Sequence, residues 1–215
     1  MDIRQTADGR AARSAATRVR VARAATRLFT TGGYTATSIA SIAEEAGVAT
    51  QTVYYAFGTK AAVLKEALDQ AVAGDAEPVA TLERPWVRAA LAAQDPHELV
   101  RLQVRGTARV MVRVAALVEV LRGAAPSQPE LAELWRTNTE QRRTVHTVFA
   151  RALADRGALR GGLDAQEAAD TLLGLLSPEL YTLYTGQLGW STDRWAAWAA
   201  DAVSHQLIGP PDSGS

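Results

Sequence analysis

The segment from Thr37 to Phe57 constrains the fold of this chain more than any other. Thr37 and Ser38 are side chains of the kind that cap a helix start, and Ser41 follows on the polar side. Ile39, Ile42 and Ala43 recur at helical steps and face inward. Gly47 stands where a tight turn needs a left-handed backbone, which glycine adopts without a Cβ clash. Val48 and Val53 supply the other half of the contact, and Ala43 must be small because two helices cross there. The spacing predicts two short helices around Gly47. Thr50 is expected to cap the second helix and Gly58 to break it. The second helix turns small polar residues and tyrosines outward, which is the form of a helix-turn-helix that enters the DNA major groove.

The rest of the chain reads as helix throughout. It has 215 residues, 47% of them hydrophobic, enough apolar surface for a sizeable core. Alanine is abundant and no stretch alternates apolar and polar residues for long, so the fold class is all-α with about nine helices. Residues 1–16 read as a disordered, arginine-bearing tail. A first helix is expected from about Thr17 to Thr31, with Val21, Ala24, Ala25, Leu28 and Phe29 on one stripe and Gly32-Gly33 ending it. Thr59 caps a helix from Lys60 to about Ala73. Residues 17–73 thus form a helix-turn-helix head with its connecting helix, and residues 74–208 a helical body joined by the proline-bearing stretch Gly74 to Pro85. In the body, helices are expected from Pro85 to Ala93 and from Pro96 to about Arg122, the latter open to a break near Gly106. Others run from Pro129 to about Arg156, from Asp164 to about Leu176, from Glu179 to Gly186 after a Ser177-Pro178 restart, and from Thr192 to near Ile208. Residues 209–215 read as a frayed tail.

Charge and composition narrow the function. The net charge is zero, yet residues 1–65 carry nine basic and four acidic side chains, a net of +5, which leaves −5 for the remainder. A cationic head on an anionic body orients the head toward phosphates. There is no cysteine, which excludes disulfides, thiolate metal sites and cysteine nucleophiles. No run of about 18 apolar residues occurs, so no membrane span is expected. The N-terminus lacks the apolar core of a secretory signal, and a cytoplasmic protein is the expectation. Catalysis is not indicated: there is no glycine-rich phosphate loop, no Ser-His-Asp arrangement and no histidine pair at metal spacing, and His97, His146 and His205 are scattered. No cofactor is implied.

With those features in place, residues Arg20 to Leu68 resemble the TetR-type transcriptional regulators. The resemblance rests on Ala24, Ala25, Leu28, Phe29, Gly33, Tyr34, Thr37 and Ser38, then Ile42, Ala43, Gly47 and Val48. It continues through Thr52, Val53, Tyr54, Tyr55, Phe57, Lys60 and Leu64. Farther on, Pro178-Glu179-Leu180-Tyr181 and Gly189-Trp190-Ser191 look like the last two helices of one actinobacterial-style subgroup. The resemblance implies a homodimer, a three-helix DNA-binding head, a linking fourth helix and a ligand-binding body, with repression relieved by a small molecule. An activator of the same fold, or a helical interaction protein with a degenerate head, is the alternative.

The DNA-binding candidates are Thr37, Ser38, Thr50, Gln51, Thr52, Tyr54, Tyr55 and Lys60. Gln51 can pair bidentately with an adenine edge. Thr50 and Thr52 can meet a base or a phosphate, and Thr37 and Ser38 at a helix start can meet a phosphate. By resemblance Tyr54 and Tyr55 contact phosphate and a thymine methyl, although Tyr55 packing on the first helix is open. Lys60 is expected to reach a phosphate. Many family members carry a phosphate-binding histidine where this chain has Ala56.

The effector candidates are Trp86, Leu102, Arg105, Arg109, Trp135, Asn138, His146, Phe149, Tyr181 and Tyr184. They would suit an apolar or aromatic small molecule with a polar end, and ordinary core packing is the alternative for each. Leu172, Leu173, Leu175, Leu176 and Leu180 on one helical segment, and Trp195, Trp198, Ala199, Ala202 and Val203 on the last helix, form two apolar faces. They are read as a dimer interface, with burial inside one chain as the alternative.

Overall fold

A computed structural model describes residues 3–74 and 81–209, with side chains from Ala12 onward. The described residues form ten α-helices and no strand: α1 Ile3–Ala36, α2 Ile39–Ala46, α3 Thr50–Phe57, α4 Lys60–Ala73, α5 Pro85–Ala92, α6 Pro96–Ala124, α7 Pro129–Ala154, α8 Ala165–Leu175, α9 Pro178–Thr182 and α10 Thr192–Leu207. They divide into two compact units. One comprises residues 1–76 and 116–135, the other residues 77–115 and 136–215, so that α6 and α7 each contribute to both.

The first unit is built on α1, which packs against α2 and α4, while α3 packs against α2 and α4. The stripe Val21, Ala24, Ala25 and Phe29 is buried, as are Ile39, Ile42 and Ala43 of α2, Val53 of α3 and Ala61, Leu64 and Leu68 of α4. Phe29 stacks on Tyr34 with ring centroids 5.5 Å apart. Full burial of each large apolar side chain contributes roughly 1.5–3 kcal/mol, so this small core depends on each of them. Leu117, Leu121 and Leu131 are buried in the same unit, and Thr59 Oγ1 donates to Glu130 Oε1 at 2.8 Å.

α1 begins at Ile3, upstream of the start expected near Thr17. Residues 4–16 hold five alanines, three arginines and no proline, and their helix propensity carries the helix back through the polar stretch. Near its far end the helix is interrupted where expected: Gly33 has φ 76° and ψ 170°, a backbone that a Cβ disfavours.

In the second unit, α6 runs unbroken through Gly106. A Cβ at Gly106 would lie 2.0 Å from Trp86 Cε3, so the glycine admits the α5 indole against the α6 backbone and no break occurs. Trp86 in turn stacks on the buried Phe149 of α7, at 6.2 Å between centroids. α8 opens with a reciprocal capping box between Asp164 and Glu167. Ser177 caps α9 ahead of Pro178, and a π-turn over Leu183–Gln187 continues it. α10 is capped by Ser191, one residue before the Thr192 expected.

α8 packs against α10 within the single chain. Leu172, Leu176, Trp195, Ala199 and Val203 are fully buried there. Of the faces read as a dimer interface, those five residues therefore belong to the chain's own core: each face covers the other. Leu173, Leu175, Leu180, Trp198 and Ala202 are half-buried. The tail from residue 210 and connector residues 75–80 lie outside the described residues.

Candidate nucleic-acid interface

Local capping sets the geometry of α2 and α3. Ser38 Oγ accepts from the Ser41 amide at 3.0 Å, and Ser41 Oγ accepts from the Ser38 amide at 3.1 Å, a capping box closed by two hydroxyls and no carboxylate. Gly47 ends α2 at φ 63°, ψ 42°, and the Val48 amide donates back to the Ala43 carbonyl at 3.0 Å. α3 then starts after Ala49, which provides no side-chain cap. Thr50 is its first residue and not its cap, because the extended φ/ψ of a cap belongs to Ala49.

α3 anchors through Val53 alone, its one buried residue. Thr50, Gln51 and Thr52 are exposed. Tyr54 is 50% and Tyr55 94% exposed, so Tyr55 does not pack on α1. Gln51 and Tyr55 are four residues apart and share one face, as do Thr50 and Tyr54. An exposed amide and two phenols projecting from an eight-residue helix can donate and accept at base edges and phosphates.

The remaining candidates are more occupied. Thr37 is only 5% exposed, and its hydroxyl donates inward to the Gly33 carbonyl at 2.8 Å and the Leu28 carbonyl at 3.2 Å. Its side chain closes the end of α1, and the exposed Ser38 is the group at the α2 start that faces solvent. Lys60 Nζ donates to the Tyr34 and Thr37 carbonyls, each at 2.8 Å, and sits 4.2 Å from the Tyr34 ring centroid. Burial pushes its pKa down. Two of its three N–H donors thus staple α4 to the end of α1, leaving one for a phosphate.

Arg18 pairs with Glu66, donates to the Ala56 carbonyl at 3.1 Å and lies 4.6 Å from the Phe57 ring centroid. Arg27 pairs with Glu45 at 2.6 Å. Part of the positive charge in the head therefore braces the head itself. Arg20 and Arg23 are exposed on α1.

The effector candidates do not converge on one place. Trp135 belongs to the first unit and the others to the second. Arg105 and Arg109 are exposed. Arg105 borders an open groove of about 880 Å³ that also takes in His97, Arg101, Arg160, Asp193 and Asp201. Leu102 is half-buried on α6. Tyr181 meets Trp195 edge-on at 5.0 Å and shares a hydrogen bond with Thr192 at 2.8 Å. Tyr184 lies 4.5 Å from Trp190 and 4.6 Å from Trp198. Trp86 of α5 stacks on Phe149 of α7, and Asn138 and His146 lie on the same α7. His146 is buried, and burial first, then the nearby Arg142 charge, pushes its pKa down to about 4. Sequence reasoning passed over Gln103, which is fully buried beside it with Gln103 Nε2 and His146 Nδ1 3.5 Å apart. A glutamine on the buried stripe of Leu99, Val100 and Val104 was the available signal.

A three-helix head with a capped turn and an outward-facing second helix has the form of a helix-turn-helix DNA-binding domain. Residues 22–67 match the family model of bacterial regulatory proteins, tetR family. The match covers the head, α1 to α4, and the likeness of the remaining helices to solved structures is one of fold. The fold is similar to that of a protein described as a TetR-family regulator from Mesorhizobium loti, with 24% identity, 91% of this chain and 98% of that chain covered, and a TM-score of 0.69. It is also similar to the SmeT–triclosan complex, with 20% identity, 91% and 93% covered and a TM-score of 0.69. A transcriptional regulator from Saccharomonospora viridis in complex with choline follows, with 22% identity, 90% and 98% covered and a TM-score of 0.68. The comparison with curated proteins returns no match. No helix among the described residues is long and apolar enough to cross a membrane.

Proposed function

We propose that this regulator binds a pseudo-palindromic operator as a homodimer, represses from it, and is released by a small apolar or aromatic effector held in the helical body. The observation that carries the reading is α3, anchored by Val53 while Thr50, Gln51, Thr52, Tyr54 and Tyr55 are exposed. Gln51 reads a base edge, the tyrosines and Thr50 and Thr52 meet backbone and methyl groups, and Ser38 and Lys60 hold phosphates. The hydroxyl-only capping box favours a phosphate at the α2 start, because no carboxylate there repels one. Dimerisation uses the half-buried outer residues of α8–α10, among them Leu173, Leu180 and Trp198, together with the exposed Leu183 and Leu188.

The body as an effector domain is supported by the two neighbours solved with triclosan and with choline. Release works by population shift. An effector that binds one arrangement better than another moves α4, which Lys60 ties to the end of α1, and so changes the setting of the head.

Selection of bound sequences from random DNA, repeated with candidate effectors, tests the reading. A two-fold symmetric site weakened by an effector is the expected result. Loss of all sequence preference at physiological salt leaves the interaction-protein alternative. In operator titrations Gln51→Ala relaxes base preference. Lys60→Ala weakens binding to all sequences and lowers the salt slope by about 1.

A further inference from the structure

Among the described residues the buried polar side chains are Thr37, Gln103, Thr107 and His146, and the last three lie in the second unit. Gln103 and Thr107 lie on α6 and His146 on α7, all buried. Asn138 and Arg142 continue the His146 row at four-residue steps, which places the three on one face of α7. α6 and α7 run antiparallel through a short turn at Ala125–Ser127. Both rise about 1.5 Å per residue, so the Gln103–His146 approach puts Thr107 level with Arg142 and Met111 level with Asn138.

In the seam three buried acceptors and one buried donor, Arg142 Nε, make no hydrogen bond. Gln103 Oε1, Asn138 Oδ1 and Glu179 Oε2 are buried and accept no hydrogen bond. Arg142 lies 3.8 Å from Glu179 and donates through Nη2 to Thr139 Oγ1 at 3.3 Å, while its buried Nε makes no hydrogen bond. The Gln103 amide nitrogen faces His146 Nδ1. Arg142 and Glu179 offset one another and the His146 ring is neutral at pH 7, so the seam has no net charge with which to select an ion. Beside it lie the Trp86–Phe149 stack, one turn along from Gln103 and His146, and the thioether of Met111. Buried acceptors are costly to leave bare, whereas a ligand that donates to them regains that cost on binding.

We propose that this α6–α7 seam is the polar part of the effector site. It recognises a neutral ligand that donates hydrogen bonds, a phenol or alcohol on an apolar body, through Gln103 and Asn138. The proposal rests on the body being an effector domain. Eight residues separate Asn138 from His146, about 12 Å of helix. The two amide oxygens therefore suit a rod with a hydroxyl at each end better than a compact polyol.

The test uses the full chain and three probes of one shape: para,para′-biphenol, its dimethyl ether and biphenyl dicarboxylate, titrated by calorimetry at pH 7. The expected result is that biphenol binds at least about ten-fold tighter than either of the others. Gln103→Leu and Asn138→Leu each cut that preference at least about three-fold, and together they remove it. Thermal melts accompany the titrations and show that each variant is folded at the titration temperature. If a leucine variant fails to fold, Gln103→Met takes its place, and the three-probe comparison on the parent decides by itself. Equal binding of biphenol and its ether, no binding of either, or an unchanged preference in both variants overturns the proposal and leaves the oxygens to ordered water. Operator titration without ligand, run separately, tests the regulator reading. Ligand selectivity without any effect on DNA binding would keep the site and refute its coupling to the head.

Discussion

Replacing Gly106 by alanine sets two effects of opposite sign against each other. Alanine in a helix interior is favoured over glycine by about 1 kcal/mol. Against that, the new methyl would stand 2.0 Å from Trp86 Cε3 and 2.5 Å from Cδ2 and Cζ3. These are ring atoms of a rigid indole, not the tip of a flexible chain, and the ring is stacked on the fully buried Phe149. Overpacking of a core costs about 1–3 kcal/mol, and a contact this short belongs at the upper end. The net is a loss of about 2 kcal/mol, or roughly 4–8 °C in melting temperature for a chain of this size. Circular dichroism melts of Gly106→Ala and Gly123→Ala make the comparison. The second lies in the same helix with nothing within 4 Å of its added Cβ, and it gains stability of up to about 1 kcal/mol. In a Trp86→Leu background the cost of Gly106→Ala disappears, a coupling of about 2–3 kcal/mol. A Gly106→Ala protein that melts at or above the parent refutes the argument, since the indole would then have room to yield.

Tyr55→Ala leaves the melting temperature within about 0.5 kcal/mol of the parent, because the side chain is almost wholly exposed, yet it weakens operator binding in gel-shift titrations. Lys60→Met orphans the Tyr34 and Thr37 carbonyls and destabilises the head by about 1–2 kcal/mol in urea melts, in addition to its effect on DNA. The His146 pKa is depressed from 6.5 to about 4 in the fold. The unfolded chain therefore takes up that proton more readily, and the contribution of His146 is complete above about pH 6.5 and is lost as pH falls toward 4. Urea melts at pH 7 and pH 5 show a smaller pH loss for His146→Leu than for the parent.

The helical architecture was legible because its signals are local. Ser38, Gly47, Gly58, Thr59, Asp164 and Pro178 each mark a boundary through their own backbone chemistry, within a turn of where they act. What depends on distant partners was not legible. Gly106 looked like a possible helix break because Trp86 is twenty residues away in the chain. Thr37 looked like a phosphate ligand because its inward bonds to Leu28 and Gly33 follow from the backbone turn at Gly33. Lys60 read as a free cation until the carbonyls at the end of α1 came within its reach. The apolar faces of α8 and α10 were visible as stripes. A stripe says that something covers it and not what, and here each covers the other.

α3 starts without a side-chain cap. A helix of two turns with no side-chain cap and one buried anchor leaves its first amides to solvent. Such a helix frays from its N-terminus, so Thr50 and Gln51 exchange their amide protons fastest in the head and slow down when an operator supplies acceptors. On the proposed function, operator contact completes the first turn of α3. Sites that fit poorly lose affinity twice, through the missing contact and through the helical turn that it would have ordered.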